Sequence, residues 1–290
     1  MNLRTDLALE AALPLEQNLP QGVSLHQREQ DGVSVQEVVI SSEEGAKRLG
    51  KAKGRYLTIT LPPLWKGAGE EMERATALLA RHLGEMLPKE GMVLTLGLGN
   101  PSITADALGP KTANGILATR HLTQLDDPFF RSLRASAVLA PGVLGQTGLE
   151  SGEIALAVVK AFSPAAVIAV DALAAADTAR LGNTLQLSDT GIVPGAGAMN
   201  RRQELSRRTL GVPVLALGIP TVCDALSFAA SFLEQGQSFS PAVQQRYDPF
   251  LVTPKEIDQL TQRGAAILSA GINQALYPNL TPEELAFLTA

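Results

Sequence analysis

Two aspartates follow apolar runs that have the character of buried strands. Asp106 lies in a glycine-rich loop after the run MVLTLGLGN, and Asp171 ends the run AAVIAVD. In open α/β sheets, sites form outside the carboxyl ends of the strands, so both side chains are predicted to reach one edge of a sheet. Two carboxylates delivered in this way suit hydrolysis by acid/base catalysis.

The chemistry of such a pair follows from its charge. Peptide hydrolysis without a nucleophilic Ser or Cys needs a base to activate water and an acid to protonate the leaving amine. Two close carboxylates can share one proton, because both cannot ionise cheaply at short range. The alternative is structural: Asp106 could cap a helix that runs toward His121, and Asp171 could cap a helix over ALAAADTAR.

Two further loops carry residues that could line such a site. Gly97, Gly99 and Asn100 follow the first apolar run, but Ser102 stands where the dinucleotide fingerprint G-x-G-x-x-G needs its third glycine. No nucleotide or other cofactor is therefore predicted.

The second loop, Ser188–Gly197, begins with Asp189, Thr190 and Gly191. Its D-T-G triplet matches that of pepsin-like and retroviral aspartic proteases. Those enzymes combine two copies of the triplet on all-β folds, whereas this chain has one copy within an α/β pattern. An aspartate that hydrogen-bonds its own turn is the alternative, so these three residues are candidates for lining the site.

Other catalytic groups have little support. Cys223 lies in the apolar context PTVCDAL, which is typical of a buried filler, and no G-x-S-x-G motif is present. The three histidines are His26, His82 and His121, the last in a TRHL context typical of a structural residue. No metal site is predicted.

Strand-like and helical patterns alternate along the chain, which favours a three-layer α/β fold with a mostly parallel twisted sheet and helices on both faces. Strands are predicted at 33–40, 55–61, 92–97, 136–140, 166–170, 183–187 and 213–218. Helices are predicted at 70–87, 225–233 and 254–275, with a short one starting at Thr281 in a capping box with Glu284. Residues 1–32 are predicted to be an N-terminal arm, and 33–290 a single domain.

The composition limits the kinds of partner and the cellular compartment that are predicted for the protein. The 290 residues carry a net charge of −5, so there is no basic field to hold a nucleic acid. A single cysteine excludes an internal disulfide and suits a reducing cytoplasm. Neither a signal peptide nor an apolar run long enough to cross a membrane is evident.

Several long blocks occur in one order: GLGN, DALGPKTANGILATRHL, VLAPGVLGQTGLESGE, VDALAA, SDTGIVPGAG, LGIPTVCDA and VTPKEID. This series resembles the germination (spore) proteases over nearly the whole chain. The resemblance implies an aspartate-based endopeptidase of the spore core that cleaves small acid-soluble spore proteins during germination, and it implies a homotetramer. The proposed catalytic aspartates of that family match Asp106 and Asp171, and its fold resembles hydrogenase-maturation endopeptidases.

The segment Thr5-Asp6-Leu7-Ala8 resembles the processing site of the germination protease zymogen, which itself resembles the T-[DE]-[LFI]-A sites of the substrates. Self-cleavage between Asp6 and Leu7 would remove a pro-segment of about residues 1–6, and an exposed arm suits such a cut. So short a segment leaves little chain to block a cleft, which favours control of activity elsewhere. A simple frayed tail, a metal-dependent maturation endopeptidase and a non-catalytic α/β binding protein remain as alternatives.

Overall fold

The computed structural model describes residues 5–66, 69–194, 203–230 and 250–289, together with residues 232, 239–240, 242–243 and 246. In these ranges the strands are β1 (Val23–Gln30), β2 (Val33–Ile40), β3 (Gly54–Thr60), β4 (Val93–Gly97), β5 (Ser136–Leu139), β6 (Ala166–Ala175), β7 (Thr184–Ser188), β8 (Val214–Asp224) and β9 (Leu251–Val252). The helices are α1 (Ala8–Ala12), α2 (Glu43–Leu49), α3 (Glu70–Met86), α4 (Leu108–Asn114), α5 (Pro128–Ser132), α6 (Leu144–Thr147), α7 (Ser151–Phe162), α8 (Arg207–Leu210), α9 (Ala225–Ala230), α10 (Ile257–Leu276) and α11 (Pro282–Thr289).

The strands of the described ranges form one sheet in the order β1-β2-β3-β7-β8-β6-β4-β5, with β9 pairing β8. The pairs β8–β6, β6–β4 and β4–β5 are parallel, whereas the pairs from β1 to β8 are antiparallel. The predicted three-layer α/β class is confirmed, and β4 and β6, the strands of the apolar runs before Asp106 and Asp171, are parallel neighbours. The sheet is mixed, with its parallel half at the β5 end.

Helices cover both faces because each strand of the parallel half is apolar on both sides. On one face α3, α4 and α10 pack against the sheet, and α3 does so through an apolar stripe that includes Leu78, Leu79 and Leu83. On the other face α7 and α8 cover the parallel half, while α1 and α2 cover β2 and β3. The capping box at Thr281 is also present, since Thr281 N donates to Glu284 Oε2 and Glu284 N to Thr281 Oγ1.

Residues 172–175 continue β6 as a strand, so the helix that ALAAADTAR favours is wrong. Ala172–Ala175 pair with Ile219–Cys223 of β8, and the register shifts between Leu173 and Ala174. Alanine favours helices in isolation, but pairing with a long neighbouring strand overrides that preference. A bulge of this kind is common beside active sites, where it redirects side chains.

The N-terminal residues are packed, not exposed as predicted for an arm. Leu7, Ala8, Leu9 and Ala12 are fully buried. Residues 23–30 form β1 of the same sheet, joined to β2 by the two-residue turn Asp31-Gly32, in which both φ angles are positive. The physical reason is that the segment's apolar side chains fill a gap over β2 and the extended end of β6.

None of the helices in the described ranges is long and apolar enough to cross a membrane.

Candidate active site

A cavity of about 340 Å³ lies where β6, β7 and β8 meet the N-terminal segment. Its walls include Asp6, Lys51, Tyr56, Asp171 and Gln186. A larger cavity of about 1010 Å³ lies beside Gly91 and Ala135, where the parallel strands begin. The smaller cavity contains Asp171, at the level where the neighbouring strand β4 ends, so it is the candidate active site.

Asp171 lies in β6 opposite Gly218 of β8 and is only 4% exposed. Its Oδ1 accepts a hydrogen bond from Ala172 N at 2.9 Å. A Cβ on Gly218 would lie 2.4 Å from the Asp171 carbonyl oxygen, so the two strands approach closely only because residue 218 is glycine. Because the chain continues as a strand, Asp171 does not cap a helix there.

Asp106 lies over the end of the neighbouring strand β4. Its Oδ2 accepts a hydrogen bond from Asn100 N at 2.7 Å, which closes the glycine-rich loop. Gly99 has a φ of +114°, and a Cβ there would lie 2.0 Å from the Asp106 carbonyl oxygen. The N-cap of α4 is Ala107, without a side-chain capping bond, so Asp106 is not the cap of that helix.

The rest of the first loop holds this arrangement in place. Asn100 Oδ1 accepts hydrogen bonds from Ser102 N at 3.0 Å and from Gln146 Nε2 at 2.7 Å. A Cβ on Gly97 would lie 2.3 Å from the carbonyl oxygen of Gly109 in α4, so this glycine permits the close packing of α4 on β4. In the described part of the chain Asp106, Gly97, Gly99 and Asn100 form a cluster at the end of β4, and they do not line the cavity that contains Asp171.

The three residues of the D-T-G triplet have different surroundings. Asp189 Oδ1 accepts a hydrogen bond from Arg55 N at 2.8 Å and so ties the loop to β3. Thr190 and Gly191 line the cavity. The further loop residues 195–197 lie outside the described residues.

The segment Thr5–Ala8 contributes Asp6 to the wall of the cavity. Asp6 N donates to Ala174 O, and Asp6 Oδ2 accepts from Ala174 N, both at 2.8 Å. Gln186 Nε2 donates to Asp6 O at 3.1 Å, and Gln186 Oε1 accepts from Ala8 N at 2.8 Å. Short as it is, the predicted pro-segment therefore reaches the cavity, and the Asp6–Leu7 bond lies against Gln186.

Two residues of this wall, Lys51 and Gln186, are not among the site residues predicted from the sequence. Gln186 is a buried polar side chain within the apolar strand TLQLS, a signal that could have identified it. Lys51 follows Gly50 in a short loop after α2, and nothing in its sequence context distinguishes it from a surface lysine. Its Nζ donates to Thr5 O at 2.7 Å.

Cys223 is fully buried near Leu7, and burial, aided by Asp224, raises the pKa of its thiol to about 11. Because only the thiolate reacts, roughly one thiol in a thousand is reactive at about pH 8. We therefore expect iodoacetamide to label the folded protein at least about 100-fold more slowly than the protein in guanidinium chloride. Equal labelling rates would contradict the buried position of this thiol.

Within the described ranges no group of three or more His, Cys, Asp or Glu residues could hold a metal ion.

Comparisons with known proteins agree along most of the chain. The sequence profile described as germination protease matches residues 7–235. A germination protease of Caldanaerobacter subterraneus subsp. tengcongensis is 40% identical over 98% of this chain and 97% of its own length. One from Clostridium perfringens is 36% identical over 98% of each chain, and one from Priestia megaterium 33% identical over 99% and 97%.

Among solved structures, the [NiFe] hydrogenase maturation protease HycI from Thermococcus kodakarensis KOD1 matches with a TM-score of 0.34 and 16% identity. The match covers 66% of this chain and 98% of that protein. The family profile and the near-full-length relatives together establish that the chain is a peptidase that belongs to the germination protease family.

Proposed function

We propose that this peptidase is an endopeptidase that cleaves small acid-soluble spore proteins in the spore core during germination. It would cut after an acidic residue in sites of the type T-[DE]-[LFI]-A. The observation that supports this best is the chain's own Thr5-Asp6-Leu7-Ala8 segment, whose Asp6 lines the cavity that contains Asp171. The segment has the sequence of such a site and is bound by main-chain and side-chain contacts that a substrate of the same sequence could repeat.

The contacts of Leu7 explain why an apolar residue would follow the acidic one. Leu7 is fully buried and packs among side chains from the ends of β6 and β8 and the loop between β6 and β7; these are Leu173, Ala175, Leu181 and Cys223. Burial of a leucine side chain contributes about 1.5–3 kcal/mol. A substrate with leucine, phenylalanine or isoleucine here would gain a similar contribution.

We assign the hydrolysis to Asp106 and Asp171. One carboxylate takes a proton from water as the water oxygen attacks the carbonyl carbon before the scissile bond. The other, protonated, gives its proton to the amide nitrogen as the carbon–nitrogen bond breaks. Asp106 follows β4, and Asp171 lies in the adjacent strand β6 next to Val170, which pairs with the last residue of β4; these positions support the assignment. Neither aspartate caps a helix in the described structure.

The same site would process the chain itself. Cleavage at Asp6–Leu7 would remove residues 1–6 and release the wall that Asp6 contributes to the cavity. The resemblance to the family carries the further proposals that the enzyme is made as a zymogen and assembles as a homotetramer. Size measurement in solution before and after processing tests the assembly.

A pair of peptides tests the substrate proposal. We expect the protein to cut a peptide containing Thr-Asp-Leu-Ala or Thr-Glu-Phe-Ala once, after the acidic residue. Replacing the leucine by glycine removes the group that fills the Leu7 pocket, so kcat/KM should fall about 10- to 100-fold. Mass spectrometry of the products gives the position of the cut.

Two results would contradict the proposal. Cleavage at other bonds, or none in either peptide, would argue for a different substrate or a non-catalytic protein. Activity that is lost in EDTA and restored by a divalent metal would instead support the metal-dependent maturation endopeptidase.

A further inference from the structure

The acids that line the candidate active site would repel an acidic side chain of a substrate. Besides Asp6, which stands where the acidic residue of a substrate would bind, the acids Asp171 and Glu204 line the cavity. An acidic side chain brought in by a substrate would therefore meet carboxylates of like charge, which disfavours binding in a partly dry site. A cation beside the position of Asp6 would offset this repulsion.

Among the described residues that line the cavity, Lys51 is the only lysine or arginine. Its ammonium group lies close enough to Asp6 and Glu10 for their charges to raise its pKa, while burial lowers the pKa by a larger amount. Its Nζ also donates to the carbonyl of Thr5, the residue before Asp6, at 2.7 Å. A partly desolvated ammonium interacts more strongly with a carboxylate than an exposed lysine would.

Hydrogen bonds to Asp6 and Ala8, the residues on either side of Leu7, determine which residue of the segment lies beside Lys51. Gln186 accepts from Ala8 N and donates to the carbonyl oxygen of Asp6, so it spans the bond that processing would cut. Ala174, at the bulge of β6, binds both the main-chain N–H and the carboxylate of Asp6. This register holds the residue before the scissile bond beside Lys51 and the following residue in the apolar pocket of Leu7.

We propose that Lys51 is the specificity-determining residue that makes this peptidase cut after aspartate or glutamate. The inference rests on the proposed function and adds to it the group that recognises the acidic residue. A neutral asparagine or glutamine at that position could still bind Ala174 N through its amide oxygen. It would lack the attraction to Lys51, so selection would come from charge and not from shape.

The test compares two peptides that differ only in Thr-Asp-Leu-Ala against Thr-Asn-Leu-Ala, cut by the full chain and its variants. For the unaltered protein we expect kcat/KM to favour aspartate by at least about 10-fold, the scale of a charge-assisted contact. Lys51→Gln keeps a donor for Thr5 O but removes the charge, so this ratio should fall to between about 1 and 3. Lys51→Arg should preserve the preference for aspartate.

Lys53→Gln is the matched control, because Lys53 lies two residues away, is exposed and pairs with Glu43 outside the cavity. Its selectivity ratio should not change. A merely structural role for Lys51 would lower cleavage of both peptides equally, leave the ratio intact and overturn the inference. So would an unaltered protein that cuts both peptides equally well, a result that needs no variant. If the unaltered protein cuts neither peptide, the proposed function itself fails.

Discussion

Asp171→Asn and Asp106→Asn are each expected to lower the rate of peptide cleavage at least about 100-fold, about 2.7 kcal/mol in transition-state free energy. An amide can neither take the proton from water nor give one to the leaving amine. Its oxygen can still accept the hydrogen bonds that Asp171 receives from Ala172 N and Asp106 from Asn100 N. The fold should therefore survive, and kcat should fall without a matching loss of thermal stability. Peptide kinetics beside a melting curve measure both.

Asp189→Asn is the control for this experiment. Asp189 holds Arg55 N at the start of β3, a bond that an asparagine oxygen can keep, so we expect a smaller loss of activity. Near-normal cleavage by either catalytic variant, with an unchanged melting curve, would show that the residue has only a structural role. A loss from Asp189→Asn as large as that from Asp171→Asn would show that Asp106 and Asp171 are not the pair that transfers the protons.

Protein left to mature is expected to begin at Leu7, and Asp171→Asn should slow that cut at least about 100-fold. The reason is the position of the segment in the structure. Asp6 lies in the cavity wall and the Asp6–Leu7 bond lies against Gln186, so the bond need not be found by diffusion. N-terminal sequencing of both proteins over time gives the rates.

Dilution distinguishes the two routes to this cut. A chain that cuts its own bond does so at a rate independent of protein concentration, whereas one chain cutting another slows on dilution. Because Leu7 is fully buried, an added protease of unrelated type should cut the same bond slowly. Mature protein that retains Met1, or equal processing of Asp171→Asn, would mean that the segment is not a self-substrate.

Much of the scaffold follows from local pattern. The apolar runs before Asp106 and Asp171 predicted β4 and the first half of β6, and the sheet pairs them as parallel neighbours. The helical spacing over α3 predicted which of its side chains are buried. The turn Asp31-Gly32, flanked by Gln30 and Val33 in register, is a hairpin signal that analysis of residues 1–32 as an arm overlooked.

The amino-acid sequence by itself therefore determined the class of fold, the family and the two aspartates that follow apolar strand-like runs. Only the tertiary structure decided that residues 172–175 form a strand, because β8 supplies hydrogen bonds that outweigh the helical preference of alanine. Only the tertiary structure joins Thr5–Ala8 to Ala174 and Gln186, contacts between residues more than 160 positions apart. The proposed role of Lys51 also depends on the tertiary structure. A lysine in a loop can select an acidic substrate residue only when folding buries it beside acids from distant parts of the chain.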